Sequence, residues 1–253
     1  MKAEWLLALL ASAAQAAPDP VSFVTCPAYR DVDAGRKSGC WLAQDPATGV
    51  AYDVSSAPSK PDWNHEVLVE GKVAEKGGNP CGGVVLDPVR TSILAGPCTR
   101  RMLPAEGFSG RRFVLPARNI RPLTEKREVA PGPYGTRTFR LFFDFDRDFL
   151  IYQYDDYLFD QMIAWLRAAR PARIVVTGFA AAAPITVSGR TLAENAEIAQ
   201  SRAEKMGEAL KRMRIEPGRL TVRWRTDPQT VDDADADHLV EPSRRRVEVE
   251  ARF

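Results

Sequence analysis

The sequence predicts an α+β protein in two parts. A small, disulfide-stapled all-β unit spans residues 17–125, and a two-layer β-α-β-α-β-β sandwich spans 137–253, with a linker at 126–136 between them. Three observations carry this. Apolar residues in the first half come in short β-branched runs broken by Pro and Gly, whereas beyond Thr138 strand-like alternation and helical spacing take turns. All four cysteines, Cys26, Cys40, Cys81 and Cys98, lie in the first half. The linker carries Pro131 and Pro133, which do not continue a helix and stiffen the connection.

Residues 1–16 read as a secretory signal peptide. Lys2 supplies the positive end, Trp5-Leu6-Leu7-Ala8-Leu9-Leu10 opens the apolar stretch, and Ala14-Gln15-Ala16 matches a small-residue cleavage site. The apolar run is shorter than the ~20 residues a membrane-spanning helix needs. No cysteine follows closely enough for lipid attachment. The expectation is a mature chain beginning near Ala17, exported to the periplasm, with no transmembrane segment.

Four cysteines agree with an oxidising compartment and allow three pairings. The local bridges Cys26–Cys40 and Cys81–Cys98 are favoured. Each closes a loop of roughly 15 residues, for which loop entropy gives about 3 kcal/mol. A four-thiolate zinc site is disfavoured, because no C-x-x-C spacing is present. No metal and no cofactor are expected.

Within 17–125, Val67-Leu68-Val69-Glu70-Gly71-Lys72-Val73 alternates before Gly77-Gly78-Asn79-Pro80. Val84-Val85-Leu86, Thr91-Ser92-Ile93-Leu94 and Arg112-Phe113-Val114-Leu115 follow. Short strands at this spacing suit a five-stranded OB-like barrel. Asp62-Trp63-Asn64-His65 reads as a turn with a packed Trp. An outer-membrane barrel does not fit, since its ~9–11-residue spans would leave no room for the turns.

Beyond the linker, Phe139, Leu141, Phe143 and Phe145 share one side of a strand, opposite Arg140, Asp144 and Asp146. Tyr157 to Arg170 carries Leu158, Met162, Ile163, Leu166 and Ala169 at helical spacing and stops at Pro171. Ile174-Val175-Val176 is a buried strand ending at Gly178. Thr191 with Glu194 three residues on forms a capping box. The helix behind it carries Leu192, Ala196, Ala199, Ala203, Met206, Leu210 and Met213 in 4-3 steps, and Pro217-Gly218 ends it. Leu220, Val222 and Trp224 alternate, and so do Val247, Val249, Ala251 and Phe253.

The chain carries 35 basic and 33 acidic side chains, a net charge of +2, and the segment 137–253 is balanced. Neither half is an electrostatic attractor for nucleic acid. The only histidines, His65 and His238, sit in no nucleophile or metal pattern, so an enzyme is not expected. Asp233-Ala-Asp235-Ala-Asp237 imitates a calcium loop but has His238 at the sixth position and Arg244 at the twelfth, and reads as a flexible acidic loop.

One constellation remains. Residues seven apart on a helix differ by about 20° around the axis, so Asn195 and Arg202 point the same way. A guanidinium there grips a carboxylate in two-point fashion. The helix neighbours Ile198, Ala199, Lys205 and Met206 offer it no acidic partner.

Residues 137–253 resemble an OmpA-like peptidoglycan-associating domain. The family segment N-x-x-L-S-x-x-R-A-x-x-V is similar to Asn195 through Ile198, Ala199, Arg202, Ala203 and Met206. The opening F-D-F-D stands as Phe143-Asp144-Phe145-Asp146, and the terminal N-R-R-V-E as Arg244-Arg245-Arg246-Val247-Glu248. The resemblance implies that Arg202, with Asn195 beside it, holds the carboxylate of diaminopimelate in a peptidoglycan stem peptide. Gly178, Ala181 and Arg245 would lie beside that site. The family's second contact is the Asp of G-H-T-D, here Gly178-Phe179-Ala180-Ala181. Ala181 has no charge for the ligand ammonium, a loss of roughly 1.5–3 kcal/mol. Glu194 or Glu197 would be the acids to take its place, with no motif for either. The resemblance thus implies a non-enzymatic envelope protein, at the outer membrane or cell wall, that tethers to peptidoglycan. Its alternative is an interaction module that keeps the fold, has lost diaminopimelate binding and serves other envelope proteins.

Overall fold

The computed structural model describes residues 20–32, 39–110, 124–126, 128–150 and 153–253. The leader, the start near Ala17 and the strand expected at Arg112–Leu115 lie outside them.

The first half is one sheet of seven strands in the order β1-β5-β6-β4-β3-β2-β7. The strands are β1 (Pro20–Thr25), β2 (Ala28–Arg30), β3 (Cys40–Gln44), β4 (Ala51–Asp53), β5 (His65–Val73), β6 (Val84–Pro97) and β7 (Met102–Leu103). Among the described residues this half is a β-sheet with two strands more than the five of the expected OB-like barrel. The short β2, β3 and β4 mix polar and aromatic residues without clear alternation, and β7 is only the pair Met102–Leu103. The turn at Asp62 forms as read: its carboxylate accepts from Asn64 N at 2.8 Å, and Trp63 packs on Tyr29 and Trp41 with ring centroids 4.9 and 5.0 Å away.

The disulfides correct the expected pairing. They are Cys26–Cys98 and Cys40–Cys81, spanning 72 and 41 residues. Sheet register decides this. Thr25 faces Val67 and Pro97 faces His65, so Cys26 and Cys98 leave the same end of the β1-β5-β6 ribbon. Cys40 lies in β3, one strand from β4, which pairs with Val84 and Val85 just beyond Cys81. Longer loops raise the entropic contribution to about 4 kcal/mol each. Cys40 and Cys81 also sit beside Asp53 within ligand distance of one another, but both sulfurs are committed to a bond.

The second half follows the expected order with additions. It contains β8 (Arg137–Phe142), α1 (Gln153–Ala169), β9 (Arg173–Ala180), a hairpin β10–β11 (Ile185–Val187, Arg190–Leu192), α2 (Glu197–Arg212), β12 (Leu220–Thr226), the short α3 (Val240–Arg244) and β13 (Arg246–Arg252). The sheet runs β12-β9-β13-β8. β12 is parallel to β9, and β13 is antiparallel to both of its neighbours. α1 and α2 bury Met162, Ile163, Leu166, Met206 and Leu210 against Leu141, Ile174, Val176, Val247 and Val249. Among the described residues no helix is long and apolar enough to cross a membrane.

α2 starts six residues later than Thr191. Thr191 belongs to β11, and Ser188 and Gly189, both at positive φ, close the hairpin turn before it. Glycine reaches this region freely. The capping box therefore does not form, and Glu194 is released for another partner. Asn195 makes the helix entry instead, its Oδ1 accepting from Glu197 N at 3.0 Å.

The two halves are packed together along β5 and β6. Side chains alternate on a strand. Val67 and Val69 face the core of the first half, while Leu68 and Glu70 face the second half. On β6, Arg90 and Ser92 make the corresponding contacts. Arg90 Nε bonds Asp237 at 2.9 Å, and Ser92 Oγ accepts from Phe145 N at 2.9 Å. Val24, Leu68, Phe145 and Val187 form the apolar centre of this interface. The acidic loop is tied down there rather than flexible. Arg90 Nη2 donates to Asp235 O at 2.7 Å, and Arg140 pairs with Asp233 at 3.4 Å.

Candidate functional site

The site predicted from Arg202 lies where four segments meet: the turn after β8, the end of β9, the approach to α2, and α2 itself. β8 stops at Phe142, so the Phe143-Asp144-Phe145-Asp146 motif is a turn and not a strand continuation. Asp146 takes positive φ, which aims its N–H inward. Phe143 packs into the sandwich core, and Phe145 turns to the first half.

Arg202 projects from the buried face of α2 into this turn, where its five N–H groups are all engaged. Nε donates to Arg147 O at 2.7 Å, Nη1 to Phe179 O at 2.7 Å and Glu194 Oε2 at 3.0 Å, and Nη2 to Asp144 O at 3.2 Å and Glu194 Oε1 at 2.7 Å. The guanidinium also stands 4.9 Å over the Phe143 ring. Five donors are the full capacity of an arginine.

Glu194 is equally saturated. Oε1 accepts from Asp146 N at 2.8 Å and Oε2 from Ala181 N at 2.7 Å, each beside its bond to Arg202. Both side chains are 0% exposed. Burial by itself pushes the Glu194 carboxyl up. The bonds and charge of Arg202, aided by the charge of Arg245 and the Ala181 N–H, outweigh it and hold the group below its ordinary value. Two backbone N–H groups and a forked guanidinium are what an anion-binding pocket offers a free carboxylate. Here the carboxylate comes from the chain itself.

The structure brings together Arg202, Ala181 and, through the Coulomb field, Arg245. It does not bring Asn195 to the guanidinium: Asn195 is exposed, its N–H donating to Asp146 Oδ1 at 2.9 Å. Gly178 is a packing residue. A Cβ there would fall 2.1 Å from Ala199 O and 2.8 Å from Ala203 N, both backbone atoms, so only glycine lets α2 lie this close to β9. Gly178→Ala is expected to cost about 3 kcal/mol of stability, read as a lower midpoint in urea with an unchanged slope.

Arg245 serves the interface between the halves. It is 1% exposed, forks onto Glu70 with Nη1 at 3.1 Å from Oε1, and its Nε bonds Phe143 O at 3.4 Å. Burial alone lowers the Arg245 pKa, and Glu70 raises it beyond the ordinary arginine value, with Glu194 and Asp144 adding to the effect. Asp144 in turn accepts from Ser59 of the first half. Arg202, Glu194, Arg245, Glu70 and Asp144 thus form one buried run of charges, and the first half lies over its outer end. Sequence reasoning weighed Glu194 only as a substitute acid for the ligand, not as the partner of Arg202, and missed Glu70. The signal available for Glu194 was its position just before a helix carrying an otherwise unpartnered arginine.

No family model and no curated protein sequence matches the chain. Solved structures similar to it include the OmpA-like domain of FopA1 from Francisella tularensis subsp. tularensis SCHU S4, at 15% identity and a TM-score of 0.36, covering 46% of this chain and 71% of that one. The cell wall anchor of the T6SS from Pseudomonas aeruginosa is similar at 22% identity and a TM-score of 0.34, covering 46% and 80%. A MotB-like protein from Desulfovibrio vulgaris is similar at 21% and 0.35, covering 46% and 73%.

Proposed function

We propose that this chain is a non-enzymatic, exported cell-envelope protein whose OmpA-like half works as an interaction and scaffolding module rather than as a diaminopimelate binder. One observation carries the reading: the Arg202 guanidinium has spent every N–H inside the chain, against a Glu194 carboxylate that has no exposed surface. A ligand carboxylate would have to displace a covalently tethered one. A tethered group competes at an effective concentration of order mM. Ala181 adds no charge for a ligand ammonium, and Asn195 is occupied at the start of α2. Peptidoglycan tethering through Arg202 and Asn195 therefore has less support than its alternative.

The test is sedimentation of the purified mature protein with peptidoglycan sacculi. The expected result is that it stays in the supernatant at physiological salt. Sedimentation that free diaminopimelate competes away would overturn the reading in favour of tethering.

A further inference from the structure

We propose that the free edge of β12 captures an extended, acidic segment of a partner protein by strand addition. β12 ends the four-stranded sheet, with β9 on one side and no strand on the other among the described residues. A strand paired on one side leaves half of its N–H and C=O groups directed outward, and such an edge is a template for another chain.

The side chains say which chain. Leu220 and Val222 pack toward the helices, and Trp224 follows them on that face with 47% of its surface exposed. Arg223 and Arg225 lie on the opposite face and are exposed. Arg225 has no ion pair or hydrogen bond among the described residues, and Arg223 bonds only Thr177 Oγ1, at 2.9 Å. An added strand therefore meets arginines on one face and an indole on the other. The complement alternates carboxylates with apolar side chains. The sheet already holds such a strand: Val247-Glu248-Val249-Glu250 of β13 pairs with the other side of β9. The Glu250 carboxyl lies within the field of Arg223, although its own neighbour Arg252 lowers it more.

A second copy of this chain fits less well. Antiparallel pairing of two β12 strands centred on any of residues 223–225 sets arginine against arginine, and directly opposed like charges destabilise a sheet. Charged edge residues also protect sheets from unwanted pairing, and a purely protective role predicts no capture at all.

The proposal rests on the interaction reading above and names the surface. Its test is independent: fluorescence anisotropy of a labelled peptide, Glu-Val-Glu-Val-Glu-Val-Glu, matched to the 7 residues of β12, titrated with the full mature protein. Saturable binding is expected, weakened about tenfold or more by Arg225→Glu. That variant loses no internal contact, and circular dichroism checks that it folds. A Lys-Val peptide and an acidic peptide N-methylated along both backbone edges are expected not to bind. No binding of the acidic peptide, equal binding of the N-methylated one, or indifference to Arg225→Glu would each overturn it. Failure here leaves the satisfied Arg202 site untouched, whereas sacculus binding overturns the interaction reading and leaves the edge intact.

Discussion

Replacing Glu194 by alanine is expected to lower the unfolding free energy by about 3–5 kcal/mol, the range for leaving a buried charge without its partner. The loss falls on Arg202, which keeps its bonds to Arg147 O, Phe179 O and Asp144 O but loses the only anion it touches among the described residues, and on the N–H groups of Asp146 and Ala181, which lose their acceptor. Urea unfolding measures it, and an unchanged midpoint would show that the pair is not buried in solution. The same pair sets a pH dependence. Glu194 titrates below its ordinary value in the folded protein, so the unfolded state takes up its proton first. The pair's stabilisation is complete above the unfolded-state pKa and drains away as pH falls through the lower folded value. Glu194→Gln removes that acid-side loss while keeping the side-chain shape. A profile parallel to wild type would assign the acid lability elsewhere.

Glu70→Ala is expected to cost a similar 3–5 kcal/mol and to change the form of unfolding as well as its midpoint. Arg245 is 1% exposed and loses its paired carboxylate. The two halves then keep the Arg90–Asp237 pair and the apolar patch around Phe145 and Val187, but not the central fork. Wild type is expected to unfold in one transition, with near-ultraviolet and far-ultraviolet circular dichroism coinciding. In Glu70→Ala the two probes separate. Replacing Glu70 and Arg245 together by methionine leaves no orphan charge and is expected to recover most of the stability. If the double variant is as weak as the single one, the cost of Glu70→Ala does not come from the orphaned charge of Arg245.

The order of elements in 137–253 was legible because each has a strong local period: Ile174-Val175-Val176 as a buried strand, Leu158 to Ala169 and Ala199 to Leu210 as helical stripes. What escaped was decided at long range. Thr191 and Glu194 have the spacing of a capping box, and locally that reading is sound. A buried arginine eight residues on binds the same carboxylate more strongly than a helix terminus does, and the hairpin takes Thr191. Glu70 sits in the alternating run Val67 to Val73 as a polar residue that ordinarily faces water. Only a second packed unit turns that face inward, and alternation carries no sign of what covers it. The cysteines followed the same rule. Short loops close more readily in an unfolded chain, but the register of β1, β5 and β6 brings Cys26 to Cys98. The arginine at position 202 was found as a carboxylate holder. That the carboxylate belongs to the same polypeptide was not readable from a resemblance whose ligand is a separate molecule.

The fork between Arg245 and Glu70 also governs how the second half behaves by itself. A fragment cut in the linker and beginning near Arg137 would keep its sandwich core yet open Arg245 to water without its forked partner Glu70, next to a bare patch of Phe145, Ile185 and Val187. Whatever such a fragment adhered to would reflect the wound left by excision, and a binding screen on it would report a surface that the intact molecule never presents.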